Sequence, residues 1–394
     1  MQPGGLFGLI PLERGGNKIS KKILFPGCVG LVVFYVCRMK KINFYAGPGI
    51  LPQEVLAQAQ QAVGNFEEMD LSILEISHRS KEFVKIMEEA RGLVRELMHL
   101  DADREVLFLH GGGLSQFHMV PMNLLNENET ASYFDTGTWA HGAIEEARLF
   151  GKVHIACSSQ ESNYNYIPKE YSVAPNSKYL HITSNNTIYG TQLHLPLVPP
   201  LSSHVPLVCD MSSDIFSRQL NFNDYDLIYA AGQKNAGAAG VTIVVVNQNI
   251  LGKVDRKIPR MLDYRLHIEK ESMLNTPSVF AVYVSYLTLK WIQKEGLKNI
   301  EERNDRKAQI LYGAIDASPL FEGTVAKDDR SIMNVCFGMK DKALEEKFVA
   351  FTQARGIVGI KGHRSVGGFR ASIYNAMSEE GVEVLAQAIS QFQG

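Results

Sequence analysis

The chain has 394 residues, of which 45% are apolar and 21% are charged, and its formal net charge is −2. This length is sufficient for two domains or for one large domain with a smaller lobe, and the composition argues against disordered and fibrous classes. The near-neutral charge, without long blocks of like charge, argues against a nucleic-acid-binding surface. Five cysteines occur without a CxxC pair, so the sequence predicts no disulfide framework and no metal site, and favours a reducing cytoplasm.

The first 38 residues differ in character from the rest. They carry five basic residues against one acidic residue, Glu13, and an apolar run from Cys28 to Cys37. That run has about half the length that a membrane-spanning helix needs, and no small-residue cleavage site follows it. Because Met39 opens the string MKKINFYAGPG like a natural start, we interpret residues 1–38 as an extension outside the native fold. A targeting or anchoring segment is the alternative.

Helical and strand patterns alternate from residue 80 to residue 294. The predicted elements are helix 80–98, strand 106–109, a helix after Ser115, strand 132–134, helix 139–149, strands 153–156, 179–182, 205–209, 227–230 and 241–246, and helix 279–294. Several strands are continuous apolar runs, which is typical of strands covered by helices on both faces. The sequence therefore predicts an α/β fold with a mostly parallel sheet.

The pattern changes near residue 295. The predicted elements of this tail are helix 298–317, strand 332–337, helix 342–354, short strands near 357–360 and 370–373, and helix 379–392. This spacing predicts a smaller α+β lobe. Functional groups are expected at the carboxyl ends of the large-lobe strands and in the cleft between the lobes.

Lys234 is the only charge in the run AAGQKNAGAAGVTIVVV, between two predicted strands. Partial desolvation would lower its pKa and make a neutral amine available to attack a carbonyl. Asp210 ends another apolar strand, and a buried carboxylate requires a positive partner. A lysine with an aspartate facing a protonated pyridine nitrogen is the expected pair of a pyridoxal phosphate site. Taken singly, Lys234 is more simply explained as a snorkelling lysine at a strand end, and Asp210 as a turn former or helix cap.

The string His110–Ser115 reads HGGGLS, follows a strand and opens a helix. Free amides at a helix N-terminus bind anions, and glycines let a phosphate approach closely. The same string is similar to the oxyanion loop of esterases, but no G-x-S-x-G nucleophile motif occurs in the chain. Trp139 could stack on a flat ring or pack in the core, and Thr187 and Gln233 could add polar contacts.

Basic side chains predict an anionic substrate. Arginine binds carboxylate and phosphate through two parallel hydrogen bonds. The residues concerned are His78 and Arg79 before the first predicted helix, and His363, Arg364 and Arg370 in the smaller lobe. As solvated surface groups they would carry no such meaning.

Together these strings resemble the class V, fold type I, pyridoxal-phosphate aminotransferases, in the branch that acts on phosphoserine. The resemblance covers residues 39–394 and rests on NFYAGPGILP, ISHRSKEF, LHGGGLSQF, AGQKNAGAAG, NTPSVFAVY and, most specifically, KGHRSVGGFRASIYNAM. It implies a large cofactor-binding domain at 54–298 with a seven-stranded sheet, and a small domain formed by 39–53 and 299–394.

The resemblance also implies residue roles. Lys234 would attach the cofactor, Asp210 would pair with its ring nitrogen, Trp139 would stack on the ring and Thr187 would contact the ring hydroxyl. The cofactor phosphate would be held by Gly113, Leu114 and Gln233, and by Asn275 and Thr276 of a second subunit, which implies a homodimer with shared sites. Arg370 would bind the substrate α-carboxylate, and the distal phosphate or carboxylate would be bound by His78, Arg79, His363 and Arg364.

The implied reaction is transamination between glutamate and 3-phosphohydroxypyruvate, giving O-phosphoserine and 2-oxoglutarate, in the cytoplasm. A second role in pyridoxine biosynthesis, through 4-phosphohydroxythreonine, stays open.

Two departures from the family pattern occur: Leu114-Ser115 replaces the usual Arg-Gly, and Ala238 replaces the usual proline. A cysteine desulfurase of the same fold is a rival, although Cys336 lies in an apolar strand pattern.

Removal of residues 1–38, with Met39 as the first residue, should leave folding and activity unchanged. The reason is that the predicted elements and site residues all lie beyond this segment. Circular dichroism and a transaminase assay on the shortened and full chains would test this. Loss of soluble, active protein would favour a targeting or anchoring role.

Overall fold

The computed structural model describes residues 41–194 and 205–394, so the interpretation of residues 1–38 concerns a segment outside the described residues. Residues Ile42–Gly394 form one compact unit. Its helices are α1 (Gln53–Gly64), α2 (Lys81–Leu97), α3 (Gly112–Leu124), α4 (Thr138–Ala147), α5 (Tyr264–Glu269), α6 (Val279–Glu295), α7 (Leu297–Ala317), α8 (Glu345–Ala354) and α9 (Glu379–Gln391). Its strands are β1 (Ile42–Asn43), β2 (Arg104–Leu109), β3 (Thr130–Asp135), β4 (Lys152–Ser158), β5 (Ser177–Thr183), β6 (Leu207–Asp210), β7 (Leu227–Ala231), β8 (Thr242–Asn247), β9 (Phe321–Gly323), β10 (Asn334–Met339), β11 (Ile357–Val358) and β12 (Phe369–Ser372).

A seven-stranded sheet in the order β2-β8-β7-β6-β5-β3-β4 forms the centre. Strands β3 to β7 pair in parallel, whereas β8 runs antiparallel to both of its neighbours, β2 and β7. The predicted α/β class and mostly parallel seven-stranded sheet are therefore confirmed. The antiparallel direction of β8 makes the segment between β7 and β8 a hairpin loop, and that loop carries Lys234.

Both faces of this sheet are buried. Along β8, Ile243 and Val245 pack with helices α2 and α6, while Val244 and Val246 pack on the opposite face with α3 and α4. Successive strand residues point to opposite faces, so continuous apolar runs are required where helices cover both. This burial explains why the strands were recognisable in the sequence without polar alternation.

A separate apolar cluster joins Phe44 to residues of the C-terminal part, between Ala308 and Phe392. Its framework is the antiparallel sheet β12-β10-β9 with helices α7 to α9. Phe44 reaches it because the backbone of Phe44 bonds to Val358 and Ser372, at 2.9 and 3.1 Å. The division into domains 54–298 and 39–53 with 299–394 stays a prediction.

The sequence patterns located most elements within a few residues and missed several short ones. The predicted helix 342–354 begins with a 3₁₀ turn, Lys342–Leu344, before α8. Helix α1 was not predicted because its buried face consists of Val55, Ala59 and Ala62, which give weak periodicity. In the described part of the chain, no helix combines the length and apolarity that crossing a membrane requires.

Gly237 fixes the path of the Lys234 loop. Its φ is +141°, and a Cβ atom there would lie 2.8 Å from Cα of Ser285 on α6. We expect Gly237→Ala to lower the free energy of unfolding by about 3 kcal/mol, through backbone strain and this backbone clash. Urea unfolding of the cofactor-free protein would measure the change.

The matched control is Gly92→Ala in the middle of α2, where an added Cβ would meet no atom within 4 Å. Because glycine is a poor helix former, this variant should gain about 0.5–1 kcal/mol. Equal effects of the two substitutions would contradict the role given to Gly237.

Candidate active site

A cavity of about 270 Å³ lies at the carboxyl edge of the central sheet. Thr183, Asp210 and Ala231, the last residues of β5, β6 and β7, contribute to its wall, together with the start of α3. Seven of the sequence-predicted site residues line it: Gly113, Leu114, Trp139, Thr187, Asp210, Gln233 and Lys234. Parallel strands that end at one edge bring these distant segments together.

The Lys234 side chain is half-buried, and its Nζ donates a hydrogen bond to Oγ1 of Thr187 at 2.8 Å. Burial lowers the pKa of Lys234 to about 8, against an opposing effect of Asp210 and with a smaller contribution from Arg370. The loop that carries Lys234 is closed by a 2.8 Å bond from the Gly232 amide to the Val241 carbonyl. A substantial fraction of this amine is therefore neutral at mildly alkaline pH.

Asp210 is 5% exposed, and its Oδ1 accepts a hydrogen bond from the Ser212 amide at 2.8 Å. Burial raises the pKa of this carboxyl group, while Ser212 and the Lys234 cation act in the opposite direction. A buried carboxylate in the wall of a cavity is suited to a cationic ligand atom.

The start of α3 is suited to an anion. Gly111, with φ at +93°, precedes the helix, and a Cβ there would lie 2.6 Å from Cβ of Ser115. The first helical turn has no acidic side chain, so the positive end of the helix dipole is uncompensated. Ser212, which the sequence analysis did not select, completes this end: Cβ added to Gly113 would lie 3.4 Å from its Oγ.

Two polar atoms in the cavity wall are buried without a partner among the described residues: Nε1 of Trp139 and Oγ1 of Thr183. Such atoms are rare because each carries a desolvation cost. A helix N-terminus suited to an anion, a buried carboxylate and an amine in the wall of one cavity fit pyridoxal phosphate, which has a phosphate, a ring nitrogen and an aldehyde. Thr183, Asn185, Ser212 and Ser213 were missed by sequence reasoning, although Ser212 and Ser213 directly follow Asp210 in CDMSS.

Arg370, on β12, lies beside this cavity, and its Nη1 donates to the Thr187 carbonyl at 3.2 Å. Burial, Arg370 and Arg364 together lower the pKa of His363, so these three groups form one basic cluster. Within the described part of the chain, the other predicted residues do not line the cavity: they are His78 and Arg79 before α2, and Asn275 and Thr276 before α6.

The sequence profile of the class-V aminotransferases matches residues 42–385. The chain therefore belongs to the class-V aminotransferase family, which makes it a pyridoxal-phosphate-dependent transaminase. Phosphoserine aminotransferase of Parabacteroides distasonis is 54% identical over 358 residues, covering 90% of this chain and 99% of that protein.

Solved structures extend the comparison. Phosphoserine aminotransferase from Bacillus circulans subsp. alkalophilus superposes with a TM-score of 0.86 at 42% identity, over 89% of this chain and 97% of that chain. The PLP-bound phosphoserine aminotransferase of Trichomonas vaginalis gives 0.83 at 33% identity, over 89% of this chain and all of that one. The predicted fold class, enzyme class and cofactor are confirmed.

The depressed pKa of Lys234 gives a testable pH dependence. In the cofactor-free protein, its reactivity toward trace acetic anhydride should rise with a midpoint near pH 8, because only the neutral amine reacts. Peptide mass spectrometry across pH 6–11 would measure it, with Lys85, whose side chain is 74% exposed, as the internal standard.

Thr187→Val should move this midpoint further down, by about one unit, since the valine cannot accept the hydrogen bond of the charged amine. A midpoint near 10.5 in the native chain would contradict the desolvated environment.

Proposed function

We propose that the chain transfers an amino group between glutamate and 3-phosphohydroxypyruvate, forming O-phosphoserine for serine biosynthesis and 2-oxoglutarate. The observation that carries this proposal is the half-buried Lys234 amine beside Asp210, in a cavity bordered by Arg370. The relatives at about half identity over nine-tenths of the chain support the choice of substrates.

Bound through its aldehyde to Lys234, pyridoxal phosphate supplies an electron sink for the carbanion formed at the substrate α-carbon. The Lys234 amine would accept the α-proton of the substrate and return it during reprotonation. Its lowered pKa suits this task, because a base titrating near the working pH is both available and reactive. Asp210 would stabilise a positive charge on the ring nitrogen, which would keep the electron sink effective.

The other cavity residues would orient the cofactor. The amides of Gly113 and Leu114, with Gln233 and Ser212, would hold the phosphate, and Trp139 would cover the ring. Leu114 contributes only its backbone amide, so the missing arginine of the family pattern removes a side-chain contact and leaves the helix N-terminus intact. Thr187 would contact the ring hydroxyl once Lys234 is engaged.

Substrate anions would be bound by the basic groups. Arg370 would take the α-carboxylate, because it reaches the Thr187 carbonyl at the cavity edge. His363, which lies in the electrostatic range of both Arg370 and Arg364, would take the distal phosphate or the glutamate side chain together with Arg364. His78 and Arg79 would add to the phosphate subsite.

We propose a homodimer in which Asn275 and Thr276 of a second copy reach the cofactor phosphate. Large apolar side chains that stay exposed in the single chain support it, namely Leu71, Leu74, Leu114 and Met261. A cytoplasmic location is proposed as well, and the free thiols of Cys157, Cys209 and Cys336 are in keeping with a reducing compartment.

A desulfurase activity is disfavoured by the environment of Cys336. Its thiol is 6% exposed, and burial raises its pKa to about 12. A sulfur acceptor needs an accessible thiolate, and Cys157 is no better, since burial raises its pKa to about 12 as well.

Lys234→Ala should lower transamination at least a hundredfold or so, because both the cofactor attachment and the base are lost. The visible absorbance of the lysine-bound cofactor should disappear with it. Absorbance spectra and a coupled assay would measure both, with the exposed Lys85→Ala as the control. Retention of activity and absorbance would refute the site.

The preference of the enzyme for a phosphorylated substrate can be measured with the same absorbance spectrum. O-Phosphoserine should bleach the native spectrum at concentrations about ten- to a hundredfold below those of serine, since charge-assisted bonds to the phosphate are lost with serine. Equal concentrations would contradict the proposed substrate.

A further inference from the structure

Three buried asparagines join helix α7 to the loop of Lys234. Nδ2 of Asn304, on α7, donates to Oδ1 of Asn375 at 2.9 Å. The backbone N–H of Asn375 donates in turn to Oδ1 of Asn235 at 3.0 Å, and Asn235 directly follows Lys234. The three side chains are at most 4% exposed, so these bonds are shielded from water.

The same asparagines also hold the turn that follows Asp210. Asn235 donates to the Ser213 carbonyl at 3.3 Å, Asn375 to Phe216 at 3.0 Å, and Asn304 to Ser217 at 2.9 Å. Each asparagine thus bonds both to the next member of the chain and to the backbone of residues 213–217. We call Asn235, Asn304 and Asn375 the asparagine chain.

Lys307 strengthens the outer end of this arrangement. It lies almost one turn beyond Asn304 on α7, is 0% exposed, and donates from Nζ to the carbonyls of Ile373 and Tyr374 at 2.7 and 2.8 Å. Burial holds its pKa well below the ordinary range. Helix α7 is therefore bonded to the backbone of Ile373 and Tyr374 and to the side chain of Asn375, shortly after Arg370.

These contacts connect the three segments that carry the proposed site residues to one helix, α7. Lys234, Asp210 and Arg370 come from three separate segments, and each segment is tied to α7 through a member of the asparagine chain or through Lys307. Asn304 uses its donors twice, whereas its Oδ1 has no partner among the described residues. The contacts of the Asn304 side chain with the described residues are therefore its two donated bonds, one to Ser217 and one to Asn375.

We propose that Asn304 is a positioning residue, which sets the Lys234 amine against the Asp210 carboxylate through Asn375 and Asn235. This rests on the roles proposed for Lys234 and Asp210, and is independent of the phosphate on the substrate. If the Lys234 amine moved relative to the Asp210 carboxylate, the proton affinity and the reactivity of Lys234 would change. The cofactor would still bind in the cavity.

The test compares the holoenzyme variants Asn304→Leu and Asn299→Leu. Asn299 is also on α7 but is exposed, and its Nδ2 donates to the Glu295 carbonyl at 2.8 Å. For each, the midpoint of the pH titration of the visible cofactor absorbance, and kcat and KM for glutamate, are measured well below the Tm. Asn304→Leu should lower kcat about tenfold and move the absorbance midpoint by about half a unit, with KM near native.

A lower Tm with native kcat and native absorbance midpoint would overturn the proposal, because it would mean that the bonds of Asn304 only stabilise the fold. The absorbance midpoint needs no phosphorylated substrate. It therefore remains informative if phosphoserine fails to bleach the native enzyme, which would refute the proposed function alone.

A double-mutant cycle with Asn235→Ala tests the route. If Asn304 acts through Asn235, the double variant should lose no more kcat than the more impaired single variant. Independent, multiplying losses would overturn the route. Should Asn304→Leu fail to fold, Asn304→Ser, which keeps one hydroxyl donor, takes its place in the same cycle.

Discussion

The burial of one amine beside one carboxylate is the constraint on which the remainder of the site depends. Lys234 and Asp210 each lose water, and burial moves their pKa values in opposite directions, toward the neutral forms. Each charge opposes the pKa shift that burial causes in the other group. A cationic ring nitrogen and an aldehyde satisfy both groups, which is why this cavity suits pyridoxal phosphate better than a purely hydrophobic ligand.

The fold places this pair by means of strand directions. Asp210 ends a parallel strand, whereas Lys234 lies in the loop of an antiparallel hairpin between β7 and β8. The loop turns back over the sheet edge because Gly237 allows close packing on α6. Interactions from the C-terminal part then hold the loop from the other side, through Asn235 and Asn375. The loop that carries Lys234 is consequently held both by α6 and by the C-terminal part of the chain.

Sequence patterns succeeded where a single physical rule dominates. Continuous apolar strands, the amphipathic α2 and the glycine run before α3 each follow from burial or from anion binding. Sequence patterns failed where the apolar periodicity is weak, or where a residue acquires its role through a contact with a distant part of the chain. Helix α1 buries mainly alanines, and Ser212 looks like an ordinary turn serine until Gly113 of another segment lies against it. The asparagine chain leaves no local signal in the sequence. Asn235 and Asn304 are 69 residues apart, and Asn304 and Asn375 are 71 residues apart.

The class of fold and the cofactor could be predicted from the sequence alone, and the same strings selected Lys234 as the candidate reacting lysine. The reason is that those features depend on local strings: an apolar strand followed by Asp210, a glycine-rich helix start, and one lysine among small residues. Which polar groups contact one another is visible only in the folded structure. The antiparallel course of β8, the Lys234–Thr187 bond and the ties from α7 are contacts between segments far apart in the chain. Such contacts depend on packing and strand order, which residue patterns along the chain do not encode locally.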